Sequence, residues 1–525
     1  MPQVRFQNSN NDSFGAPGVY VKQVAVPAPL RGVFLGTTGY VGKCVKGPIN
    51  KLVRCDSYQR FKDVFGERDY GVNGGAIIGD VWWALQCKSV GIFYVIRAAA
   101  AAAVVASFDA ETAAGGGGTA VLRIAARNAG AWGNGVKFKV LAASNGVATS
   151  FNLSILDTNN GKTYLFENLS INGTDDNLDA TVGGDDATPI VLSKLANGRP
   201  VNNAAGIDGA DTNGYTALGQ VVTAFGSVAG ADGVIADADY TAANGPMESM
   251  HAARGVDTKL VAGRSNAAIK TKIFALAPTA NLSAWAICPD NAAVTDTAWE
   301  TEIASYRDRH IFPVFNHPSY VDPVTGAITV GEPHAQLAAD LSQILPDVHP
   351  GVSETSSLHT GIVSLAFTLT DAQRDALDAA GSTFLNQDLD ENNNQVWLFG
   401  NGRTADLTVN NSQIDGERSK NYLISGLAQR SRGDQNKPNT PGARAKRKGA
   451  FSGWLTELAE AERFVQKDGN GVPQFQILNN DEVNTKTDQA AGIQRDLVMI
   501  QLIPKNLYLQ LQVEAGTDVV ITQVQ

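Results

Sequence analysis

Gly36-Thr37-Thr38-Gly39-Tyr40-Val41-Gly42-Lys43 is the stretch of this 525-residue chain that comes nearest to a chemical motif. A phosphate loop follows a strand and cradles phosphate oxygens with backbone N–H groups, a lysine and a magnesium-holding hydroxyl. Here five residues, not four, separate Gly36 from Gly42, and Cys44 stands where Ser or Thr belongs. The dinucleotide glycine pattern is missing too, so the glycines are expected to serve a tight loop. Five of the six histidines lie between His310 and His359, but none has the spacing of a zinc helix motif, and His334 is not followed by Glu. Asp388-Leu389-Asp390-Glu391-Asn392-Asn393-Asn394 starts like a calcium loop. It lacks the central Gly and has Phe399 at the twelfth position, where Glu would close the site. Gly226-Ser227-Val228-Ala229-Gly230 displaces the serine of a nucleophile elbow. No catalytic set, metal site or cofactor site is expected.

One electrostatic feature stands out. Between Glu417 and Lys448 lie nine basic residues: Arg418, Lys420, Arg430, Arg432, Lys437, Arg444, Lys446, Arg447 and Lys448. Only Glu417 and Asp434 oppose them. The run reads as a solvated loop or as a basic face for an acidic protein partner. Nucleic acid is disfavoured, because no aromatic residues interleave with the charges and the whole chain carries a net charge of −10.

Composition bounds the rest. Apolar residues make up 43% and charged residues 18%, with 53 glycines, so large cores, many turns and three or four domains are expected. Cys44, Cys55, Cys87 and Cys288 are too few and scattered for a disulfide framework and suit a reducing cytoplasm. The polar Met1 to Phe14 segment has no secretory pattern, and no run of about 18 apolar residues predicts a membrane span.

The elements that must position these residues begin with an extended arm, Ala16 to Val24. An apolar strand follows at Gly32 to Thr38, then helical patterns at Asp56 to Phe65 and Gly75 to Lys88, then a strand at Gly91 to Arg97. This order predicts an α/β core with a buried sheet. Gly115 to Gly118 reads as a flexible joint. From Thr119 to about Gly230 short alternating strands, among them Ala120 to Ala125, Val136 to Leu141, Phe151 to Leu156 and Thr163 to Phe166, predict an inserted all-β domain. α/β alternation then resumes, with strands at Lys259 to Ala262, Trp285 to Cys288 and Ile311 to Phe315. Helices are expected at Thr297 to Arg309, Pro333 to Leu345 and Thr370 to Ala380. Beyond Asn386, the clearest helix is Ala450 to Gln466, with Phe451, Trp454, Leu455, Leu458, Ala461 and Val465 on one stripe. Strands at Gln474 to Leu478, Leu497 to Ile503 and Val519 to Val524 close the chain.

The order Pro17-Gly18-Val19-Tyr20, Val33 to Gly36, Gly47-Pro48, Phe61 to Gly66 and Tyr94-Val95-Ile96-Arg97 resembles the contractile phage tail sheath proteins. So do Gly130-Ala131-Trp132-Gly133-Asn134-Gly135, the return through Gly230-Ala231-Asp232-Gly233, and Gly402-Arg403-Thr404. The resemblance implies a multidomain α/β (α+β) fold: an arm at 1–24, a core at 25–98 and 238–385, a β-rich outer insertion at 99–237, a tube-facing C-terminal domain at 386–504 and a C-terminal arm at 505–525. It implies a non-enzymatic structural subunit without cofactors, which forms stacked hexameric rings around an inner tube and contracts to drive that tube through a host envelope. Baseplate and tail terminator proteins are the further partners; nucleic acid and membrane insertion are not expected. The implied location is a virion tail, assembled in the bacterial cytoplasm. Val19, Tyr20, Val21, Val24, Val519, Val520, Ile521 and Val524 are then candidate intersubunit strands, while Lys437, Arg444, Lys446, Arg447, Lys448 and Glu457 are candidates to face the tube. Trp132, Gly133, Asn134 and Gly135 would form a structural turn. Two other readings stay open: a nucleotide-dependent α/β enzyme, and a surface protein that binds glycans through Trp132.

Overall fold

The computed structural model describes residues 4–7, 19–22, 36–66, 92–113, 117–172, 176–178, 182, 185–203, 210–220, 227–279, 282–322, 326–350, 361–389, 395–409, 411–431, 439–487 and 496–503. The chain divides into two units, Met1–Tyr422 and Leu423–Gln525.

The first unit is built on an eight-stranded sheet. Across it the order is Gln395–Phe399, Thr383–Leu389, Ile311–Phe315, Ala284–Ile287, Thr258–Val261, Thr38–Lys43, Phe93–Ala98 and Val53–Cys55. The six inner strands run parallel and the two edge strands are antiparallel. Alternate residues serve opposite faces. Tyr40, Leu260, Ala286, Phe312 and Val314 pack with Phe61, Phe65, Leu337 and Leu341. Val41, Val261, Trp285, Ile287, Ile311 and Phe315 pack with Met247, Met250, Ile269 and Trp299. Because both faces are covered, strands such as Ala284–Ile287 and Ile311–Phe315 read in sequence as continuous apolar runs.

Local signals set the helices around the sheet. Ser57 caps Tyr58–Phe65 by accepting from the Arg60 N–H, and Thr370 with Gln373 forms a capping box on Asp371–Ala380, which ends at Gly381 in the left-handed region. Pro333 starts Pro333–Gln343 at its first turn.

The glycine stretch corrects the sequence reading. It is not a loop. Thr38–Lys43 is a central strand of the sheet, paired on both sides. Gly39 is required by packing: a Cβ there would lie 2.5 Å from Met250 Sδ and 2.8 Å from Val256 Cγ1. Gly36 takes φ +121°, and its Cβ would lie 2.9 Å from the Ser342 carbonyl oxygen.

The insertion holds two antiparallel sheets over one core. Four strands are ordered Lys162–Leu169, Phe151–Asp157, Val136–Ala142 and Thr216–Ala217, and three are ordered Ile190–Lys194, Ala120–Ala126 and Ser107–Glu111. Phe108, Leu122 and Ile124 from one sheet meet Phe138, Val140, Leu153 and Ile155 from the other. Gly117 and Gly118 lie in the hairpin turn between Ser107–Glu111 and Ala120–Ala126, inside the insertion. The joint expected there is therefore not at the root of the insertion.

A smaller sheet orders Ile328–Val330, Pro318–Val321 and Ile362–Leu365. Thr383–Leu389 and Gln395–Phe399 belong to the main sheet, and the chain divides after Tyr422 instead of near residue 386. Apolar Leu385 and Phe399 explain this: both are wholly buried in the core of the first unit.

In the second unit, Pro441–Glu460 is a 20-residue helix. It starts about nine residues before the expected Ala450, because Thr440 accepts from the Ala443 N–H and Pro441 sits at the first turn. Phe451, Trp454 and Leu455 are buried on it, while Leu458 is half-buried, and Ala461 and Val465 lie past its end. Trp454 packs against Gly426, where a Cβ would meet the indole at 2.2 Å. The Arg430 guanidinium lies 4.0 Å from the indole centroid. Phe475–Leu478 and Leu497–Ile500 form an antiparallel pair.

Val4–Gln7 and Val19–Lys22 pair in parallel as a two-stranded sheet of their own. Val24, Val519, Val520, Ile521, Val524, Lys437 and the predicted Gly75 to Lys88 helix fall outside the described residues. Among the described residues no helix is long and apolar enough to cross a membrane.

Candidate functional site

The residues that could do chemistry are dispersed. His310 hydrogen-bonds Asp308 at 3.0 Å. His334 is buried with Nε2 3.2 Å from the Val261 carbonyl oxygen. Burial pushes the His317 pKa down to about 4. Ser227 borders the insertion, and among the described residues no group of three or more His, Cys, Asp and Glu is placed to hold a metal. The thiols of Cys44 and Cys55 are driven up by burial, Cys55 to about 12, which removes thiolate chemistry at neutral pH.

The topology singles out a different place. Thr38–Lys43 is followed in sequence by Phe93–Ala98 on one side and later by Thr258–Val261 on the other, so the strand order reverses here. In open parallel sheets, ligands bind at the strand carboxyl ends at such a switch point. Beyond the carboxyl ends of Thr38–Lys43 and Phe93–Ala98 the protein's own residues meet. Arg97, buried near the end of its strand, donates from Nη1 to the carbonyl oxygens of Gly47 at 3.0 Å and Ala129 at 2.8 Å. Burial lowers the Arg97 pKa, with Asp232 among the groups acting in the opposite direction. Asp232 accepts from the Ala131 N–H at 2.9 Å. Gly130 must be glycine: φ is +138°, and a Cβ would meet Asp232 Oδ1 at 2.8 Å and Arg97 Nη2 at 3.1 Å.

The turn that follows is anchored on every side. Trp132 is buried in the insertion core. The Lys46 amine lies 5.6 Å from its ring centroid and pairs with the buried Asp157 at 3.1 Å. Asn159 donates to the Trp132 carbonyl oxygen at 3.1 Å. The Asn134 amide both donates to the Gly230 carbonyl oxygen at 3.0 Å and accepts from the Gly230 N–H at 2.7 Å. Outgoing and returning chains bridge in antiparallel fashion at Val104 with Ala231 and at Ser107 with Val228. A second, wetter contact adds Arg60 with Asp185, Lys51 with Asp186 and Lys162 with Asp63. Buried and covered by Lys46, the Trp132 indole has no free face for a sugar ring. A cavity beside the end of Thr258–Val261, lined by Arg264, Ser265, Lys270 and His334, measures about 10 Å³, room for about one water.

The motifs thus meet in space. Gly47, Arg97, Ala129 to Asn134 and Gly230 to Asp232 are far apart in sequence and form one junction. Sequence reasoning picked out each piece but missed the Arg97, Asp232 and Lys46–Asp157 contacts. The available signal was an arginine closing an apolar strand.

No protein-family model and no curated protein matches the sequence. Solved structures do. The sheath tail protein of Listeria innocua aligns with TM-score 0.57 at 13% identity, over 85% of this chain and 89% of that one. The sheath tail protein of Desulfitobacterium hafniense aligns with TM-score 0.54 at 13% identity, over 88% and 93%. The helical sheath of the anti-feeding prophage in its contracted state aligns with TM-score 0.52 at 10% identity, over 96% and 100%. The chain has the contractile-sheath fold.

Within the sheath fold, the basic run is largely committed internally. Arg418 is fully buried and pairs with Asp257 at 3.1 Å. Lys420 pairs with Glu417, Arg444 with Asp481 at 2.6 Å and Arg447 with Asp496 at 3.3 Å. Lys446, Lys448 and Glu457 are exposed on the helix. Gly402-Arg403-Thr404 is a clasp: Arg403 grips Asp378 with Nε and Nη2, and Thr404 donates to the Asn411 carbonyl oxygen at 2.6 Å.

Proposed function

We propose that this chain is the structural subunit of a contractile sheath, built of stacked hexameric rings around an inner tube, which shortens to drive that tube through a host envelope. The single observation behind this reading is the extent of the fold match: 96% of this chain and 100% of a sheath subunit align, insertion included. The site geometry is in keeping, because the end of the strand Phe93–Ala98 is occupied by contacts of Arg97 with Gly47 and Ala129, beside the buried Trp132 turn. Shortening would then draw on new contacts between subunits, each on the scale of one net hydrogen bond, about 1 kcal/mol, and summed along the sleeve.

The partners follow from the same reading. Among the described residues Phe475–Leu478 and Leu497–Ile500 form a two-stranded pair that leaves room for further strands at its edges. Strands from neighbouring subunits, taken from Val19–Lys22 with Val24 and from Val519, Val520, Ile521 and Val524, would extend it by edge pairing. The helix Pro441–Glu460 would face the tube, with Lys446 and Lys448 as its exposed cations and Lys437 before it. Baseplate and terminator proteins would bound the sleeve, the insertion would face outward, and the setting is a virion tail or a related injection machine. Negative-stain electron microscopy of the protein with its tube protein tests this. Hollow striated sleeves or six-fold rings are expected; dispersed particles at every concentration, with tube and baseplate present, would overturn it.

A further inference from the structure

We propose that Arg97 locks the inserted β-domain to the parallel sheet, so that the two form one rigid body and no hinge exists at the root of the insertion. The outgoing chain leaves the sheet one residue after Arg97, which is where a swinging domain would pivot. Instead the pivot is filled. The Arg97 guanidinium bonds one carbonyl from the sheet side, Gly47, and one from the insertion, Ala129. Asp232, on the returning chain, holds the Ala131 N–H beside it. Around this centre six amides tie the outgoing chain of the insertion to its returning chain, closing its root into a paired stalk. Val104 bonds Ala231 in both directions, Ser107 bonds Val228 in both directions, Gly130 donates to Val104, and Gly230 donates to Asn134.

The close approach leaves no slack. A Cβ on Gly230 would lie 2.3 Å from the Gly130 carbonyl oxygen, and one on Gly133 would lie 2.8 Å from the Cβ atoms of Ala106 and Ala126. Both bonds leave from one nitrogen, Nη1, whose two N–H groups reach carbonyls of two bodies at once. Nε of this buried guanidinium already has no partner among the described residues, so letting go of either carbonyl would leave a second buried donor unpaired. Rotation of the insertion against the sheet must therefore break the Arg97 bond to Ala129 together with the buried Lys46–Asp157 pair. The exposed pairs Arg60–Asp185 and Lys51–Asp186 contribute little to this, because water and salt screen them.

Hydrogen exchange read by mass spectrometry on the dispersed full chain tests the lock, independently of whether sleeves form. In the unaltered protein the amides of Val104, Ser107, Gly130, Val228, Gly230 and Ala231 should be protected as well as those of Phe93–Ala98. Arg97→Ala should speed exchange at the six amides by about a hundredfold, the equivalent of two bonds to a charged donor, while Phe151–Asp157 and Thr258–Val261 stay protected. Guanidinium at tens of millimolar should restore protection, and sodium chloride at equal concentration should not. Lys46→Met with Asp157→Asn, which removes the other buried tie between the sheet and the insertion, should speed the same amides and serves if Arg97→Ala does not fold. Fast exchange at the six amides in the unaltered protein would mean a hinge and overturn the proposal. Unchanged exchange in either variant would overturn it as well.

Discussion

Arg418→Met perturbs the most deeply buried charge of the basic run. Arg418 donates through Nε to Asp257 at 3.1 Å and through Nη2 to the Leu341 and Ile344 carbonyl oxygens at 2.6 and 3.3 Å. Leu341 lies in the last turn of the helix Pro333–Gln343, so the guanidinium both neutralises a carboxylate and satisfies a helix C-terminus. Methionine keeps the stem and removes the charge. Asp257, also buried, is then left ionised without its partner, and breaking a buried pair this way costs about 3–5 kcal/mol. A unit of this length has an unfolding entropy of about 0.9 kcal/mol/K, at roughly 2.1 cal/mol/K per residue. The expected drop in the calorimetric Tm is therefore about 3–6 °C. Asp257→Asn combined with Arg418→Met removes the stranded charge, and coupling between contacting residues of up to about 3 kcal/mol should recover part of the loss. A single-variant shift below about 1 °C, or strictly additive losses, would refute the claim that this cation acts inside the core.

Other substitutions probe other contacts. Trp132→Ala should cost about 3–5 kcal/mol in thermal or denaturant melts of the insertion; Trp132→Phe should cost much less, because the indole N–H is buried without a partner. Gly39→Ala should destabilise by about 1–3 kcal/mol, since Val256 cannot swing clear of the new Cβ even if Met250 does. Reversing Lys446 and Lys448 to Glu should leave the melting temperature within about 1 °C yet weaken tube co-assembly in a pull-down, whereas Arg444→Glu should unfold the second unit by facing Asp481. Burial holds His317 at a pKa of about 4, beside Glu332, His334 and Lys270. The folded state then binds fewer protons than the unfolded one between about pH 6.5 and 4, so stability should fall as pH drops through that window. The scale is about 3 kcal/mol, and His317→Gln should flatten this part of a pH-dependent melt.

Sequence alone carried the periodicities and the local stops. The strand Ile311–Phe315 appears where it was expected, and Asp371–Ala380 starts at the capping threonine. Both follow from interactions within a few residues, which the sequence displays directly. The strands of the insertion likewise fall at their expected places, because a two-residue period on a half-buried sheet is visible without knowing the partner strand. The family's motifs were legible as pieces for the same reason: each is a short run with its own glycine or turn chemistry.

What tertiary structure decided were the contacts between distant segments. Gly36 to Lys43 looks like a loop from composition, yet becomes a central strand, because the space its glycines leave is filled by Met250 and Val256 from over 200 residues away. Arg418 sits in a basic run and looks solvated, yet Asp257 and the end of a helix draw it into the core. Arg97 closes an apolar strand and gives no sign of its role until Gly47 and Ala129 are placed on either side of it. Burial and charge pairing depend on which segments meet, and sequence spacing holds no record of that when the partners are tens to hundreds of residues apart.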